Sequence, residues 1–263
     1  MTPKNERNCR NFWLKNAALP LIACGLFFKN FTLHNVPRIG DVLTFLEIIE
    51  SLGVDVHFEN NTLKMNTENM SLTNLNRPLI KKIRVGIFLF PALLKRFGEL
   101  EIPYPGGCNI GKRPITEHLR AFEIFGYNGK NSEENIHFSG KEGKNDVIIS
   151  AGFAVTATEN AIMMAAFQPR KTTIHLAAIE PHVMNLIDVL KNIGVKIAVS
   201  YDHTIIIEGI SEIPENTEAT VISDYIESGT FVILGALSGN PSITVRNVRI
   251  QDLTLFLEKC QEA

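Results

Sequence analysis

The chain has 263 residues, 45% apolar and 21% charged, with a formal net charge of −2. This composition suits a globular protein of one large domain or two small ones, and the balanced charge gives no basic field for nucleic acid. The four cysteines, Cys9, Cys24, Cys108 and Cys260, lack paired spacing, which argues against a disulfide framework or a Cys-x-x-Cys metal centre and fits reduced thiols in the cytoplasm.

Lys4, Arg7 and Arg10 precede an apolar run over residues 17–28. Within it, Leu21-Ile22-Ala23-Cys24 is similar to a bacterial lipoprotein cleavage box, the sole basis for reading a lipid-anchored binding protein. Lys15-Asn16 abuts the run and Leu26-Phe27-Phe28 continues it, so a core helix is expected there instead. The run 85–94 is too short to span a bilayer and contains Pro91. A cytoplasmic protein with no membrane partner is expected.

Strand-like segments recur at residues 31–36, 99–102, 172–176 and 242–245. Their central residues Leu33, Ile102, Ile174 and Ile243 are 69, 72 and 69 residues apart. An amphipathic helical pattern follows each, at 41–52, 116–125, 182–193 and 251–262. The first three patterns end at Gly53, Gly126 and Gly194, as helix C-termini often do. Paired strands follow at 54–58 with 62–65 and at 196–200 with 204–208, and residues 136–138 form the later strand of the second unit. A more uniformly apolar helix precedes each marker strand, at 17–28, 79–97, 158–167 and 226–237.

The fold class is therefore α/β, built from helix-strand-helix-strand-strand units of about 70 residues. The all-round apolar helices should be core and the amphipathic ones should cover the outside. Three units are complete, and the fourth stops at Ala263 before its closing strands. The expected division is a divergent segment 1–14, a three-unit lobe 15–222, and the incomplete start of a second lobe 223–263.

Between the second marker strand and its helix lies Pro103-Tyr104-Pro105-Gly106-Gly107-Cys108-Asn109-Ile110-Gly111-Lys112-Arg113-Pro114. Its prolines and glycines exclude helix or inner strand and let the backbone pass close to a ligand. Lys112 and Arg113 favour the Cys108 thiolate and can hold a phosphate or carboxylate beside it. Alone, such a segment also reads as a surface turn with a stray thiol.

This loop, with Lys15-Asn16-Ala17-Ala18-Leu19-Pro20, His34-Asn35-Val36-Pro37, Ala157-Thr158-Glu159-Asn160 and Ile226-Glu227-Ser228-Gly229-Thr230-Phe231, resembles the UDP-N-acetylglucosamine enolpyruvyl transferases (1-carboxyvinyltransferases). The resemblance is collinear from about residue 14 to the end. The related shikimate-pathway transferases share the fold but are not expected to carry the cysteine loop. The family fold is an inside-out α/β barrel of six units in two lobes. Its chemistry moves the enolpyruvyl group of phosphoenolpyruvate onto the 3-hydroxyl of UDP-N-acetylglucosamine. That is the first committed step of peptidoglycan synthesis, serving cell wall biogenesis, cell shape and division.

The resemblance implies that Cys108 is the general acid toward the phosphoenolpyruvate methylene. Lys15 and Asn16 would lie near phosphoenolpyruvate and the sugar, while Arg84 and Arg113 would bind anions. Pro114 and Ile115 would lie beside the uridine, and Val155 in a second nucleotide segment. No metal or cofactor is implied. Lys15, Arg84, Lys112 and Arg113 suit two substrates rich in negative charge.

The chain also departs from the family pattern. Phe12-Trp13-Leu14 replaces a Ser-Gly-Ala step, Thr116 replaces an aspartate facing the uracil, and Ala154-Val155-Thr156 replaces Ser-Val-Gly. The aspartate base and an arginine closing over phosphoenolpyruvate would lie in a C-terminal part beyond residue 263. A separately encoded C-terminal half or self-association would have to supply them. The other reading is a non-catalytic nucleotide-sugar-binding remnant. His34, His175 and His182 form no ligand cluster and read as structural. Glu159 and Glu227 read as carboxylates favoured at helix starts.

Overall fold

The computed structural model describes residues 7–10, 12–104, 106, 115–130, 132–237 and 243–262. Strand β1 (Arg7–Arg10) leads to α1 (Lys15–Gly25), β2 (Asn30–His34), α2 (Gly40–Ser51), β3 (Asp55–Glu59) and β4 (Thr62–Asn66). Next come α3 (Arg77–Ile80), a 3-10 turn at Arg84–Phe88, α4 (Leu89–Phe97), β5 (Glu99–Pro103), α5 (Thr116–Phe125), β6 (Tyr127–Gly129) and β7 (Asn135–Gly140). The third stretch contains β8 (Val147–Ser150), α6 (Val155–Ala166), β9 (Lys171–His175), α7 (Pro181–Asn192), β10 (Lys196–Val199) and β11 (Ile205–Glu208). Strand β12 (Asn216–Thr220) then precedes α8 (Tyr225–Leu237), β13 (Ile243–Arg246) and α9 (Thr254–Glu262).

Three sheets have the orders β12-β2-β4-β3, β5-β7-β6 and β8-β9-β11-β10. In each, the last strand of the unit lies between the marker strand and its hairpin partner, antiparallel to both. Register places Leu33 opposite Leu63, Ile102 opposite Ile136, and Ile174 opposite Ile205. All six are buried, so each sheet turns one face inward and leaves the alternate residues more exposed.

Strands β12, β8 and β1 add parallel partners to β2, β9 and β13 respectively. Thus β8-α6-β9 is a strand-helix-strand crossover, while β12 returns from late in the chain to pair with the first marker strand. The first residue after β2, β9 and β13 has left-handed φ: Asn35 (64°), Leu176 (50°) and Asn247 (60°). Asparagine tolerates that conformation, whereas leucine is held there against its preference. The glycines expected to end helices, Gly53, Gly126 and Gly194, have φ of 82°, 111° and 96°.

Residues 17–25 of α1 and 157–166 of α6 are buried on every side. Helix α4 touches both, and α7 packs against α1 and α6. Their side chains and the inner faces of the sheets form one core cluster running from Leu14 to Ile222. Helices α2, α5 and α7 each keep an exposed face. Although α8 is equally apolar, only Ser228 and Gly229 are buried in it, leaving Ile226, Ile233, Leu234 and Leu237 exposed. The expected core role of this helix is not realised within the described residues.

The continuous helix expected over 79–97 is broken. The chain leaves α3 at Ile80, turns through Lys81-Lys82, extends at Ile83 (φ −127°, ψ 141°), and restarts at Arg84. At this break the Ile80 carbonyl accepts from Ile83 N–H at 3.3 Å and from Gly106 N–H at 3.5 Å, and the Lys81 carbonyl also faces Gly106. No described helix is long and apolar enough to cross a membrane.

Candidate functional site

Lys15 and Asn16 open α1, where Pro20 lacks the N–H that would otherwise return to the Asn16 carbonyl. Lys15 Nζ pairs with Asp41 Oδ2 at 2.9 Å, with both side chains about half exposed. The bulky step before Lys15 is divided among three surroundings. Leu14 is buried, Trp13 is half-buried and pairs with Ser223, and Phe12 is exposed. Leu14 N–H donates to the Ile222 carbonyl and Asp224 N–H to the Phe12 carbonyl, tying the two chain crossings together.

Arg84 starts the 3-10 turn, which packs against α1. The segment entering the cysteine loop touches the preceding Lys81 turn: a Cβ on Gly106 would lie 1.7 Å from the Lys81 oxygen. Cys108, Lys112, Arg113 and Pro114 lie outside the described residues. The chain re-enters the described part at Ile115, which precedes α5 and packs against the core with Val155. Val155 begins α6, whose first-turn N–H groups have no intrahelical acceptor and favour an anion.

A buried polar network joins these helix starts. Asn160 Nδ2 is 3.1 Å from the Ile87 carbonyl oxygen and 2.9 Å from His118 Nδ1, while His118 Nε2 is 3.0 Å from Thr156 Oγ1. Burial, followed by the Arg84 charge, lowers the His118 pKa to about 4. Arg84, the start of α5 and the start of α6 therefore belong to one electrostatic neighbourhood. His118, Thr156 and Asn160 were not among the residues singled out from sequence for a site. The available signal is a histidine on an apolar stripe with Ala121, Phe122 and Phe125, and an asparagine in a helix buried on every side.

Glu227, in the first turn of α8, accepts a 2.7 Å bond from Phe12 N–H and fits the expected helix-start role. Glu159 does not. It lies one turn into α6, is fully buried, and burial together with the Glu180 charge raises its pKa well above normal. Cys24, the cysteine of the lipoprotein-like box, is buried in α1, where burial pushes its thiol up to about 12. His34 contacts Glu218 and Thr62, and His175 contacts Thr204. Among the described residues no group of three or more His, Cys, Asp or Glu side chains is arranged to hold a metal ion.

A groove of about 590 Å³, lined by Trp13, Asn185, Asp188, Thr220 and Arg249 among others, opens at the chain crossings. It contains none of the site residues expected from sequence, so its size alone does not make it the active site. The helix starts around Arg84 have the better chemistry.

The chain is 37% identical over 250 residues to the UDP-N-acetylglucosamine 1-carboxyvinyltransferase of Campylobacter jejuni strain 81-176, and 38% over 250 residues to that of Campylobacter lari. Each comparison covers 94% of this chain and 59% of the relative, so the chain spans less than two thirds of their length. Among solved structures, the enolpyruvyl transferase NikO from Streptomyces tendae superposes with a TM-score of 0.74 at 20% identity, covering 87% of this chain and 54% of NikO. The EPSP synthase of Acinetobacter baumannii gives 0.66 at 13% identity, covering 87% and 53%. These two likenesses establish the fold. Residues 14–263 match the profile of one family, and the chain belongs to it: EPSP synthase (3-phosphoshikimate 1-carboxyvinyltransferase).

Proposed function

We propose that this chain carries part of the active site for enolpyruvyl transfer from phosphoenolpyruvate to the 3-hydroxyl of UDP-N-acetylglucosamine. Residues 15–222 constitute its first lobe and 223–263 begin its second. The observation carrying this reading is that Gly106, at the entry to the Cys108 loop, packs against the Ile80–Lys81 backbone just ahead of Arg84. The relatives' names direct the choice of substrates.

In this reading the sugar hydroxyl oxygen bonds to C2 of phosphoenolpyruvate, while Cys108 gives a proton to C3. Loss of a proton from C3 and departure of phosphate from C2 then restore the double bond in the enol ether. Lys15, Arg84 and Arg113 hold the anionic groups, with Asn16 near the sugar and Pro114, Ile115 and Val155 along the nucleotide. The base for the sugar hydroxyl and the closing arginine come from a polypeptide completing the second lobe or from self-association. Cytoplasmic action in peptidoglycan synthesis follows from those substrates.

Phosphate release from phosphoenolpyruvate and UDP-N-acetylglucosamine tests the proposal, with Cys108→Ala as control and the remaining half supplied in trans. Cys108-dependent release supports it. A second reading, binding without turnover, is favoured by Thr116 and by the Lys15–Asp41 pair. Nucleotide-sugar binding with no release, even after the missing half is added, would select that reading.

A further inference from the structure

Asn160 is fully buried in α6. Its side-chain nitrogen lies 3.1 Å from the Ile87 carbonyl oxygen. A carbonyl only accepts, so the NH₂ must face it, and the amide orientation is fixed. The same NH₂ has a second hydrogen for His118 Nδ1 at 2.9 Å, making that ring nitrogen an acceptor. His118 is 3% exposed and neutral, so its single ring proton is on Nε2. Nε2–H consequently donates to Thr156 Oγ1 at 3.0 Å. That hydroxyl retains its own hydrogen, directed away from His118. Thr156 is only partly buried and sits in the first turn of α6.

We propose that Thr156 is a specificity-determining donor to a phosphate oxygen of the nucleotide sugar, and that His118, fixed by Asn160, is the residue that positions it. This rests on the nucleotide-sugar reading above and adds residues that reading did not use. Ala154 offers no hydroxyl where the resembled family has serine, whereas Thr156 offers one where that family has glycine. The Asn160→His118→Thr156 sequence of donations points outward, each bond polarising the next. It meets the free N–H groups of α6 and the Arg84 neighbourhood, both suited to an anion.

The test uses the whole chain, with UDP-N-acetylglucosamine binding followed by calorimetry. Thr156→Val should weaken binding by about tenfold, the effect of losing a hydrogen bond to a charged group, and Thr156→Ser should stay within about threefold. His118→Leu should resemble Thr156→Val, while His118→Gln, whose amide can still donate to Thr156, should recover most of the affinity. Thr156→Val also leaves the buried His118 Nε2–H without its acceptor, so its denaturation midpoint should fall below that of Thr156→Ser, and binding is compared under conditions where both variants are fully folded. Nitrogen-15 histidine spectra of the unaltered chain should show His118 protonated on Nε2 alone. A proton on Nδ1, or binding indifferent to Thr156→Val, would overturn the inference while leaving the nucleotide-sugar reading intact. Absence of binding by the unaltered chain would overturn both.

Discussion

A Cβ added to Gly106 would lie 1.7 Å from the Lys81 carbonyl oxygen and 2.7 Å from the Lys81 carbonyl carbon. Backbone meets backbone there, so no flexible side-chain end can move aside. Gly106→Ala should displace either the Lys81 turn or the cysteine-loop entry, costing about 1–3 kcal/mol. Urea unfolding measures that cost. The alkylation rate of Cys108 should change in the same variant. Parent-like stability and alkylation would mean that this contact does not anchor the loop.

Much of the architecture is legible from periodicity because each apolar helix and marker strand returns at nearly constant spacing, with glycines at left-handed helix ends. The added parallel strands are harder to see. β12, Asn-Thr-Glu-Ala-Thr, buries only Ala219, and its partner β2 is remote in sequence. In β8, Val147 and Ile149 face the core while Ile148 is 68% exposed, so an uninterrupted apolar run conceals an alternating strand. The His118–Asn160 contact spans 42 residues and joins two helices through the core. Either residue alone resembles a stray polar group on an apolar face. Only tertiary pairing makes them a network.

Arg170 fastens the connection between the second and third units. Its guanidinium donates to the carbonyls of Gly143 at 2.8 Å, Asn145 at 3.0 Å and Phe125 at 3.2 Å, and lies 5.4 Å from the Phe125 ring centroid. Arg170→Met keeps much of the aliphatic bulk but leaves these carbonyls without their donor. The expected destabilisation is about 3 kcal/mol. Lysine should rescue only part because it lacks the planar fork. Chemical denaturation of the two variants tests the order: parent above lysine, lysine above methionine.

Two apolar helices should respond differently to truncation of a large apolar side chain. Ile162 in α6 is fully buried, and Ile162→Ala should cost about 2–5 kcal/mol through lost transfer energy and cavity formation. Leu237 in α8 is 82% exposed, so Leu237→Ser should remain within about 0.5 kcal/mol of the parent. Light scattering adds a second measurement. With Ile226, Ile233 and Leu234 also exposed, the parent should self-associate more readily than Leu237→Ser. A large stability loss at Leu237 would show that the helix is covered.

The pH dependence of stability should contain two opposing contributions. Burial and Arg84 lower His118 from 6.5 to about 4, so between those values the unfolded chain binds a proton that the folded chain refuses. Its contribution is complete above 6.5 and is lost as pH falls toward 4, by about 3 kcal/mol in all. His182, also lowered by burial, adds to the same slope. Glu159 has the reverse sign. Burial and Glu180 raise it well above 4.5, so its contribution is present at low pH and is lost as pH rises through the folded value. From 4.5 to 6.5 the two slopes offset each other in the parent. Removing one should reveal the other. His118→Gln should tilt the profile downward as pH rises across this window, with His182 still opposing Glu159, whereas Glu159→Gln should make stability rise. Glu159→Gln should also exceed the parent in stability at alkaline pH, because its amide has no proton to lose. Urea midpoints at pH 4.5, 5.5, 6.5 and 8 decide the matter. Parallel profiles for both variants would mean that neither buried group carries the protonation assigned to it.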